Sequence, residues 1–447
     1  MSNEFDVAAW QDRLARREVR IGVIGLGYVG LPLVLAFHDA GFPVLGFDTD
    51  EAKIRQLDKG ESYIRHIAGD AIAGLAGSDR FHGTTDVADL ANADAILICV
   101  PTPLTRYRDP DLSYVEGTAR AIAPHVRAGQ IVILESTTYP GTTDEVLTPI
   151  LESGGLTAGR DFLVAYSPER EDPGNPTYGT TEIPKVVGGD DQAATSIACS
   201  LYDTITSGGT VAVGSAATAE AVKLTENIFR AVNIALVNEL KVVYDKMGID
   251  VWEVIDAAKT KPFGFMPFYP GPGLGGHCIP IDPFYLTWKA REFETPTRFV
   301  ELAGEINSAM PAHVVARLAE ALNDRFGKGL NGSRILMMGM AYKKDVDDIR
   351  ESPSLKLMAL LEERGAEVSF YDPFIPVIST GREHAALSGR ESVTWQDVVA
   401  GNHDAAFIVT DHSDVDYQAL VSASPLVVDT RNATRDVSDH RDRIVRA

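Results

Sequence analysis

The sequence has few cysteines, an excess of acidic over basic residues, and no long apolar run. Its three cysteines, Cys99, Cys199 and Cys278, are too widely spaced in 447 residues for a disulfide framework or a zinc motif, so no metal is expected. Lysine and arginine number 41 against 63 aspartates and glutamates, giving a formal net charge of -22. This balance argues against nucleic acid or an anionic membrane surface as a partner, because both require a basic footprint.

Hydrophobic targeting segments are also lacking. No run approaches the ~18 apolar residues of a membrane helix, and the first 20 residues carry charges of both signs without an apolar centre, unlike a signal peptide. These features predict a cytoplasmic protein. The length allows two or three domains of roughly 100–200 residues each.

What the chain does contain is a glycine-rich segment around one cysteine, at residues 268–286: F-Y-P-G-P-G-L-G-G-H-C-I-P-I-D-P-F-Y-L. Such glycine density lets the backbone close tightly around a ligand. Cys278 and Asp282 beside it could serve as a nucleophile and a water-ordering base. The alternative is a tight turn with a cysteine that packs as a small apolar residue.

A dinucleotide-binding pattern stands near the start of the chain. A predicted strand at 19–24 is followed by G-L-G-Y-V-G, a helical run at 31–40, and a second strand at 43–47 that ends at Asp48. Gly25 permits the tight turn, Gly27 lets the pyrophosphate approach the backbone, and Gly30 allows close packing of helix and strand. Asp48 would bond the adenine ribose and repel a 2′-phosphate, which favours NAD over NADP.

Three polar loops follow further predicted strands at 95–100, 131–134 and 163–166. They are P-T-P-L-T at 101–105, E-S-T-T-Y-P-G-T-T at 135–143 and S-P-E-R-E-D-P-G-N at 167–175. Because ligands bind at the carboxyl ends of strands in open α/β sheets, these loops are expected to line the active site unless they are ordinary connections.

A long helix is predicted from about Ala217, with apolar residues at helical spacing over ~25 residues. Lys223 and Asn227 are four residues apart and therefore share a helix face. Together they could polarise a substrate hydroxyl and stabilise developing negative charge, although a solvated polar face is the alternative.

The pattern of the first strands recurs after this helix, at 334–338, 367–373 and 404–410. This second copy lacks the glycine fingerprint and is predicted to be a Rossmann-like unit that does not bind a dinucleotide in the usual manner. Lys343, Arg350 and Arg431 stand at its strand ends and could hold a diphosphate.

In order, the motifs G-L-G-Y-V-G, E-S-T, S-P-E, E-A-V-K-L-T-E-N, G-G-H-C-I-P-I-D, A-Y-K-K-D and D-T-R-N resemble the UDP-glucose/GDP-mannose dehydrogenase family over about residues 19–435. The resemblance implies an α/β fold with two Rossmann-like, doubly wound parallel-sheet domains joined by a long central helix. It implies an NAD-binding domain at 1–213, a central helical domain for dimerisation and the catalytic cysteine at 214–315, and a UDP-binding domain at 316–447.

The chemistry that the resemblance implies is a four-electron oxidation of a sugar C6 alcohol to a carboxylate, with two NAD and one water. Asp282 orders a water for proton removal, Cys278 forms a thiohemiacetal and then a thioester, and water activated near Glu169 and Thr137 hydrolyses the thioester. The implied catalytic residues are Cys278, Lys223, Asn227, Asp282, Glu169 and Thr137.

The resemblance also implies two sets of binding residues. NAD is assigned to Gly25, Gly27, Tyr28, Val29, Gly30, Asp48, Lys53, Pro101, Thr102, Ser136, Thr137 and Arg350. The UDP-sugar is assigned to Glu169, Arg170, Lys223, Asn227, Arg230, Phe268, Tyr269, Gly271, Gly275, His277, Tyr342, Lys343 and Arg431.

One departure from the family pattern bears on the substrate. UDP-glucose dehydrogenases typically carry a lysine between the cysteine and the aspartate, where this chain has Ile281. The sequence therefore resembles the branch that oxidises UDP-N-acetylhexosamines for surface polysaccharides, with UDP-N-acetylglucosamine first and UDP-N-acetylmannosamine or UDP-glucose as alternatives. A different class, the two-electron β-hydroxyacid dehydrogenases, would give Cys278 no role and leave the repeat at 334–435 unexplained; a non-catalytic NAD-sensing protein is a third possibility.

Overall fold

The computed structural model describes residues 5–64, 67–105, 107–171, 179, 181–276, 279–379 and 384–447. The chain divides into two compact units, one formed by Met1–Glu226 with Phe284–Pro296 and the other by Asn227–Pro283 with Thr297–Ala447. The strands are β1 Ile21–Ile24, β2 Val44–Phe47, β3 Phe81–Thr84, β4 Ala95–Ile98, β5 Ile131–Leu134, β6 Leu163–Tyr166, β7 Lys185–Gly189, β8 Thr210–Ala212, β9 Arg334–Met338, β10 Glu367–Tyr371, β11 Ala405–Ile408, β12 Val427–Asp429 and β13 Ile444–Arg446.

Helices connect these strands and extend beyond both sheets. The α-helices are α1 Val7–Ala15, α2 Gly30–Asp39, α3 Glu51–Asp58, α4 Gly69–Ala76, α5 Ser113–Ile122, α6 Thr148–Glu152, α7 Gln192–Tyr202, α8 Ala216–Met247, α9 Val251–Ala258, α10 Asp282–Ala290, α11 Arg298–Phe326, α12 Pro353–Glu363, α13 Trp395–Val399 and α14 Tyr417–Ala423. A π-helix spans Thr143–Leu147, and 3₁₀-helices span Val87–Asn92, Ala123–His125, Arg291–Phe293, Ala385–Leu387 and Arg441–Arg443.

The first unit is built on a sheet with the strand order β3-β2-β1-β4-β5-β6-β7-β8. Its first six strands run parallel in the order of a doubly wound dinucleotide-binding fold, and β7 pairs antiparallel with β6. Strands β1, β4, β5 and β6 are buried along their whole length because apolar clusters cover both faces of the sheet. The fold class predicted from the sequence is confirmed for this unit.

The second unit carries a parallel sheet with the order β10-β9-β11-β12-β13. This order is that of the other common doubly wound fold, in which the first strand of the unit also lies inside the sheet. Apolar clusters again lie on both faces, with Met337 in one and Leu336 in the other. The predicted second Rossmann-like unit is therefore confirmed.

Two long helices accompany the sheets. Helix α8 has 32 residues and begins in the first unit and continues in the second, as the apolar spacing from about Ala217 predicts. Helix α11 has 29 residues and was not predicted, since Pro311 stands inside it and proline normally interrupts a helix. Its end is marked by Gly327 at φ 61°.

Candidate active site

The glycine turn after β1 has the geometry that a dinucleotide requires. Gly25 has φ 89°, and a Cβ there would lie 2.6 Å from the Cys99 carbonyl oxygen. A Cβ at Gly30 would lie 2.0 Å from the Gly25 oxygen, so only glycine allows α2 to pack this closely. A Cβ at Gly27 would meet no atom within 4 Å, which leaves the backbone open to a ligand. The residues present therefore fit a bound pyrophosphate at the start of α2.

Asp48 lies at the end of β2 and organises this turn. Its Oδ2 accepts hydrogen bonds from the Leu26 backbone N–H and from Lys53 Nζ, at 2.9 and 2.8 Å, and its Oδ1 accepts from the Asp50 N–H at 2.9 Å. The Tyr63 hydroxyl donates to the Leu26 carbonyl at 2.6 Å. Asp48 and Lys53, both predicted cofactor residues, are thus joined as a buried carboxylate with one cation. Tyr28 and Val29, also predicted cofactor residues, are half-buried immediately before α2.

The loops after β4 and β5 contain the other cofactor residues predicted in this unit. Pro101 is exposed and Thr102 is half-buried, with its carbonyl accepting from the Tyr285 hydroxyl at 2.8 Å. Ser136 donates its hydroxyl to the Val100 carbonyl at 2.7 Å, which ties the two loops together. Thr137 follows and is half-buried.

A buried ion network that the sequence did not reveal lies beneath these loops. Lys185, at the start of β7, contacts Glu135 at 2.8 Å and Glu169 at 3.4 Å, and its side chain is 3% exposed. Glu135 also accepts a short hydrogen bond from the Tyr202 hydroxyl, and the Lys185 ammonium lies over the Tyr202 ring. The available signal was a lysine that opens the apolar run K-V-V-G-G, where burial forces a charge to find partners.

The network sets the charges of its members. Burial alone would raise the pKa of Glu169, but Lys185, the N–H groups of Glu171 and Arg170, and Lys223 outweigh it and hold that pKa below its usual value. Burial raises the pKa of Glu135 despite Lys185. Burial would lower the pKa of Lys185, but its two carboxylates raise it, so the lysine stays charged.

The S-P-E loop is fastened to α8 by two cations. Lys223 Nζ donates to the backbone carbonyl of Glu169 at 2.5 Å. Arg170 binds Glu226 through Nε and Nη2, at 3.0 and 2.5 Å, and donates to the Pro184 carbonyl at 2.6 Å. The predicted residues Glu169, Arg170 and Lys223 are therefore brought together in the first unit.

Glu220 attaches the loop after β5 to the first turns of α8. Its carboxylate accepts from the Gly141 N–H at 2.6 Å, from the Thr143 N–H at 2.9 Å and from the Thr143 hydroxyl at 2.7 Å. Burial raises the pKa of this carboxyl to about 7. The glutamate of E-A-V-K-L-T-E-N thus positions a loop.

In the second unit, Asn227 and Asp282 form a buried pair. Asn227 Nδ2 donates to Asp282 Oδ2 at 2.6 Å, and the two residues are 4% and 3% exposed. Asp282 is the first residue of α10, and the neighbouring Ile281 is buried. Cys278 and His277 lie outside the residues that the structure describes, so their predicted roles stay predictions.

The glycines before Cys278 are explained by close packing within the second unit. A Cβ at Gly275 would lie 2.8 Å from Tyr342 Cβ, and one at Gly276, which has φ 81°, would lie 2.9 Å from the Tyr342 ring. A Cβ at Gly271 would lie 2.5 Å from the Arg431 guanidinium. The structure therefore joins the glycine segment to the A-Y-K-K-D and D-T-R-N segments.

The predicted substrate residues of the second unit have different surroundings. Arg431 donates from Nε to the Val409 carbonyl at 2.9 Å, and burial lowers its pKa although Asp411 and Asp429 oppose this. Lys343 is half-buried beside Tyr342. Arg350, which is predicted as an NAD residue, lies in this second unit and is paired with Asp348, with Nη2–Oδ2 at 2.5 Å. Phe268 meets Phe229 edge to face, Tyr269 stacks on Trp252 and donates to Asp256 at 2.7 Å, and Arg230 is exposed.

The turn after β9 in the second unit resembles the glycine turn after β1 but lacks the glycines that leave the first turn open to a ligand. Gly339 has φ 88°, and a Cβ there would lie 2.6 Å from the Thr410 carbonyl oxygen. Asp372, after β10, accepts from the Met340 and Ala341 N–H groups at 2.6 and 3.0 Å. Side chains stand where the first turn has glycine, which is why this turn differs from a dinucleotide cradle.

Comparison with known proteins matches three segments of the chain to the domains of one family. Residues 19–206 match the NAD-binding domain of the UDP-glucose/GDP-mannose dehydrogenase family, residues 217–309 its central domain, and residues 336–436 its UDP-binding domain. The chain is 37% identical over 360 residues to a UDP-N-acetyl-D-glucosamine 6-dehydrogenase of Pseudomonas aeruginosa, covering 80% of this chain and 84% of that protein.

Two further matches concern Pyrococcus horikoshii. The chain is 35% identical over 424 residues to its UDP-N-acetyl-D-mannosamine dehydrogenase, covering 94% of this chain and 96% of that protein. A solved structure of a UDP-D-ManNAc dehydrogenase from that organism aligns with a TM-score of 0.84 at 33% identity, covering 96% of this chain and 99% of the other. Within the described residues, no helix combines the length and apolarity needed to cross a membrane. The chain belongs to the UDP-glucose/GDP-mannose dehydrogenase family of NAD-dependent nucleotide-sugar dehydrogenases.

Proposed function

We propose that this protein oxidises the C6 alcohol of a UDP-N-acetylhexosamine, UDP-N-acetyl-D-glucosamine in the first place, to the uronic acid. The reaction consumes one water and two NAD⁺ and yields the carboxylate, two NADH and three protons. Family membership supports the dehydrogenase chemistry, and its expected use is surface polysaccharide synthesis.

The observation that carries the proposal is the buried Asn227–Asp282 hydrogen bond of 2.6 Å. A buried carboxylate oriented by an amide can hold one water in a fixed position, which a proton-accepting water requires. The amide keeps a second N–H for a substrate oxygen. Both residues are predicted to be catalytic, Asp282 as the residue that orders a water and Asn227, with Lys223, as a residue that stabilises the alkoxide.

In the first oxidation, Asp282 orders the water that accepts the C6 hydroxyl proton, and Asn227 fixes that carboxylate. Lys223, held by the Glu169 carbonyl, supplies positive charge to the alkoxide. The Gly25–Gly30 turn and Asp48 would hold NAD, which would supply the hydride acceptor when bound.

In the second oxidation, the Cys278 thiolate adds to the aldehyde carbon and forms a thiohemiacetal. This carbon is tetrahedral and carries the oxygen, so a second hydride can leave from it. The product is a thioester on Cys278. Water activated by Glu169 and Thr137 then attacks the thioester carbonyl and releases the carboxylate and the thiol. The lowered pKa of Glu169 keeps it ionised and ready to accept the proton of that water.

The choice of sugar depends on Ile281. A buried isoleucine beside Asp282 places no cation where UDP-glucose dehydrogenases have a lysine, which favours an N-acetylated sugar. The relative named for UDP-N-acetyl-D-glucosamine supports that substrate, and the relative named for UDP-N-acetyl-D-mannosamine supports its epimer as the second candidate.

We also propose a homodimer formed through α8. This helix exposes Phe229, Leu236, Val243 and Met247, which recur at intervals of 7, 7 and 4 residues and so form one apolar stripe. Light scattering of the Leu236→Glu/Val243→Glu variant should give a monomer where the parent protein gives a dimer. An unchanged mass would show that α8 does not form the dimer interface.

The substrate test is an NADH absorbance assay with purified UDP-N-acetylglucosamine, UDP-N-acetylmannosamine and UDP-glucose. We expect the highest kcat/KM with UDP-N-acetylglucosamine and two NADH per sugar consumed. One NADH per sugar would contradict the four-electron reaction, and a preference for another sugar would contradict the substrate.

The nucleophile test compares Cys278→Ser with Cys199→Ser, a matched substitution in α7. We expect Cys278→Ser to lose steady-state turnover by a factor of at least ~10³, since the covalent intermediate cannot form normally. The Cys199→Ser variant should retain activity within about twofold. Full activity of Cys278→Ser would favour two-electron chemistry.

A further inference from the structure

The buried cation Lys185 carries an inference that rests on the proposed function. Its ammonium is enclosed between Glu135 and Glu169, contacts both, and stands on the face of Tyr202. A charge of this kind is costly to bury unless its partners offset the lost hydration. One of those partners is the carboxylate assigned to thioester hydrolysis.

We propose that Lys185 is a positioning residue for the hydrolytic step: its ion pair holds the Glu169 carboxylate charged and aimed, while Glu135 keeps the lysine in place. Lys185 contacts neither the sugar nor the cofactor in this proposal and acts only through Glu169. The residue lies in the described part of the first unit, and nothing in the motif pattern of the sequence assigns it.

The two carboxylate oxygens of Glu169 have different partners. One carboxylate oxygen, Oε1, accepts the N–H groups of Arg170 and Glu171, both at 2.7 Å. The other oxygen, Oε2, faces Lys185 at 3.4 Å. Backbone donors thus fix the orientation of the carboxylate, and the lysine supplies the charge that offsets its burial.

The other charged and titratable groups around Glu169 come from four elements. Glu135 follows β5 and pairs with Lys185, and Lys223 of α8 reaches the Glu169 backbone rather than its carboxylate. Burial followed by the charge of Glu135 raises the pKa of Tyr202 on α7 and of Cys99 after β4, so both are neutral. Lys185 is therefore the cation in contact with the Glu169 side chain among the described residues.

In the hydrolytic step Glu169 takes one proton from water as the water oxygen bonds to the thioester carbon and the C–S bond breaks. No oxidant or reductant is involved. If Lys185 is lost, Glu169 remains buried without its cation and its protonated form is favoured. An opposite charge at this range lowers a carboxyl pKa by about 1–3 units, so its loss should move the ionisation upward by that amount.

The test uses Lys185→Met, Lys185→Arg and Glu135→Gln in the full-length enzyme. For Lys185→Met we expect the acid limb of the turnover pH profile to move up by about 1–3 pH units. At pH 6 a covalent sugar–enzyme thioester should accumulate after two NADH per active site, as seen by rapid-quench mass spectrometry. Lys185→Arg should restore the parent acid limb.

Glu135→Gln separates this role from simple loss of a buried ion pair. This substitution breaks the ion pair between Lys185 and Glu135 but keeps the one between Lys185 and Glu169. The acid limb of its turnover pH profile should therefore stay in place or move to lower pH. If Lys185→Met is too unstable to study, the Lys185→Met/Glu135→Gln enzyme removes both charges and should still show the raised limb. An unmoved limb in either Lys185→Met background, or equal shifts in Lys185→Met and Glu135→Gln, would overturn the proposal.

Infrared pH titration tests the ion pair between Lys185 and Glu169 in the absence of substrate. The carboxylate band of Glu169, identified by its loss in Glu169→Gln, should titrate about 1–3 units higher in Lys185→Met than in the parent protein. Absence of two-NADH turnover in the parent protein would contradict the proposed function and leave this result standing. An unchanged Glu169 band would instead contradict the role of Lys185.

Discussion

Lys241 in the second unit is a buried cation at which burial opposes charge. It lies on α8, is 5% exposed, and burial lowers its pKa to about 8, with Arg317 adding to the effect and Asp245 opposing it. Folding therefore favours the neutral amine of Lys241, whereas in the unfolded chain the pKa of this lysine keeps its ordinary value of 10.5. At neutral pH the charged lysine opposes folding.

We predict that Lys241→Met raises the free energy of unfolding at pH 7 by about 1–3 kcal/mol, since one pKa unit corresponds to about 1.4 kcal/mol. In the parent protein, stability due to this group is present above pH 10.5 and is lost as the pH falls through about 8. Urea unfolding at pH 7 and 10 measures both effects. Lys246→Met, on the exposed side of α8, should change stability by less than ~0.5 kcal/mol.

The sequence located residues that act through a local pattern and missed those that act through burial. Asp48 is predicted from the strand and glycine turn that precede it, and Lys223 and Asn227 are predicted from their shared helix face together with the family resemblance. Lys185 meets Glu135 and Glu169 across β5, β6 and β7, and such partners are set by sheet order rather than by spacing.

At the scale of elements, the π-helix Thr143–Leu147 contains a carboxyl, Asp144, that interacts with Asp190. Asp144 in this helix and Asp190 after β7 are both exposed residues, and partial desolvation followed by the interaction with Asp144 raises the pKa of Asp190 to about 8. Stability from this proton is complete below the ordinary value of 3.8 and is lost as the pH rises through about 8.

We predict that Asp190→Asn makes the free energy of unfolding less dependent on pH between 5 and 9. The amide carries no charge at any pH, so the variant should gain at most about 1 kcal/mol over the parent protein at pH 8, because solvent screens the interaction of these exposed groups. Urea unfolding across this range is the measurement. The exposed Asp203→Asn should follow the parent profile, and an equally steep profile in Asp190→Asn would contradict the raised pKa of Asp190.

The glycine segment before Cys278 offers a second element-scale prediction. Gly276 and Gly264 both have positive φ, 81° and 70°, but a Cβ at Gly264 meets no atom within 4 Å. Gly264→Ala should therefore cost about 1 kcal/mol through backbone strain alone. Gly276→Ala adds the Tyr342 ring at 2.9 Å and should cost about 2–4 kcal/mol, as measured by thermal and urea unfolding. Equal costs would mean that Tyr342 moves aside freely.

At the scale of the whole molecule, the sequence predicted two related sheets and a long helix between them, because buried parallel strands appear as short apolar runs at recurring intervals. Among the elements that it did not predict are β3, β7, β8, β13 and the 29-residue α11. Strand β8 is short and half exposed. Helix α11 contains a proline and carries apolar residues around much of its circumference. Neither element therefore shows a clear hydrophobic periodicity in the sequence.

The two units have separate apolar cores, which predicts separate responses to ligands. The clusters that contain Val23 and Val132 belong to the first unit, and those that contain Met337 and Leu336 belong to the second. NAD should slow amide exchange in β1, β2 and β4, and UDP should slow it in β9, β11 and β12. At 100 times the dissociation constant, each ligand adds about 2.7 kcal/mol, or a ~100-fold slowing of amides that exchange by unfolding of that unit.

Two variants make the assignment of each ligand decisive. Gly27→Val places a side chain in the open space of the first turn, so protection by NAD should vanish while protection by UDP persists. Lys343→Ala removes a cation of the second unit and should abolish protection by UDP alone. Hydrogen–deuterium exchange mass spectrometry reads both units in one sample. If NAD protects Gly27→Val as well as the parent protein, or UDP protects the β1 region instead of β9, the division of the two ligands between the two units is wrong.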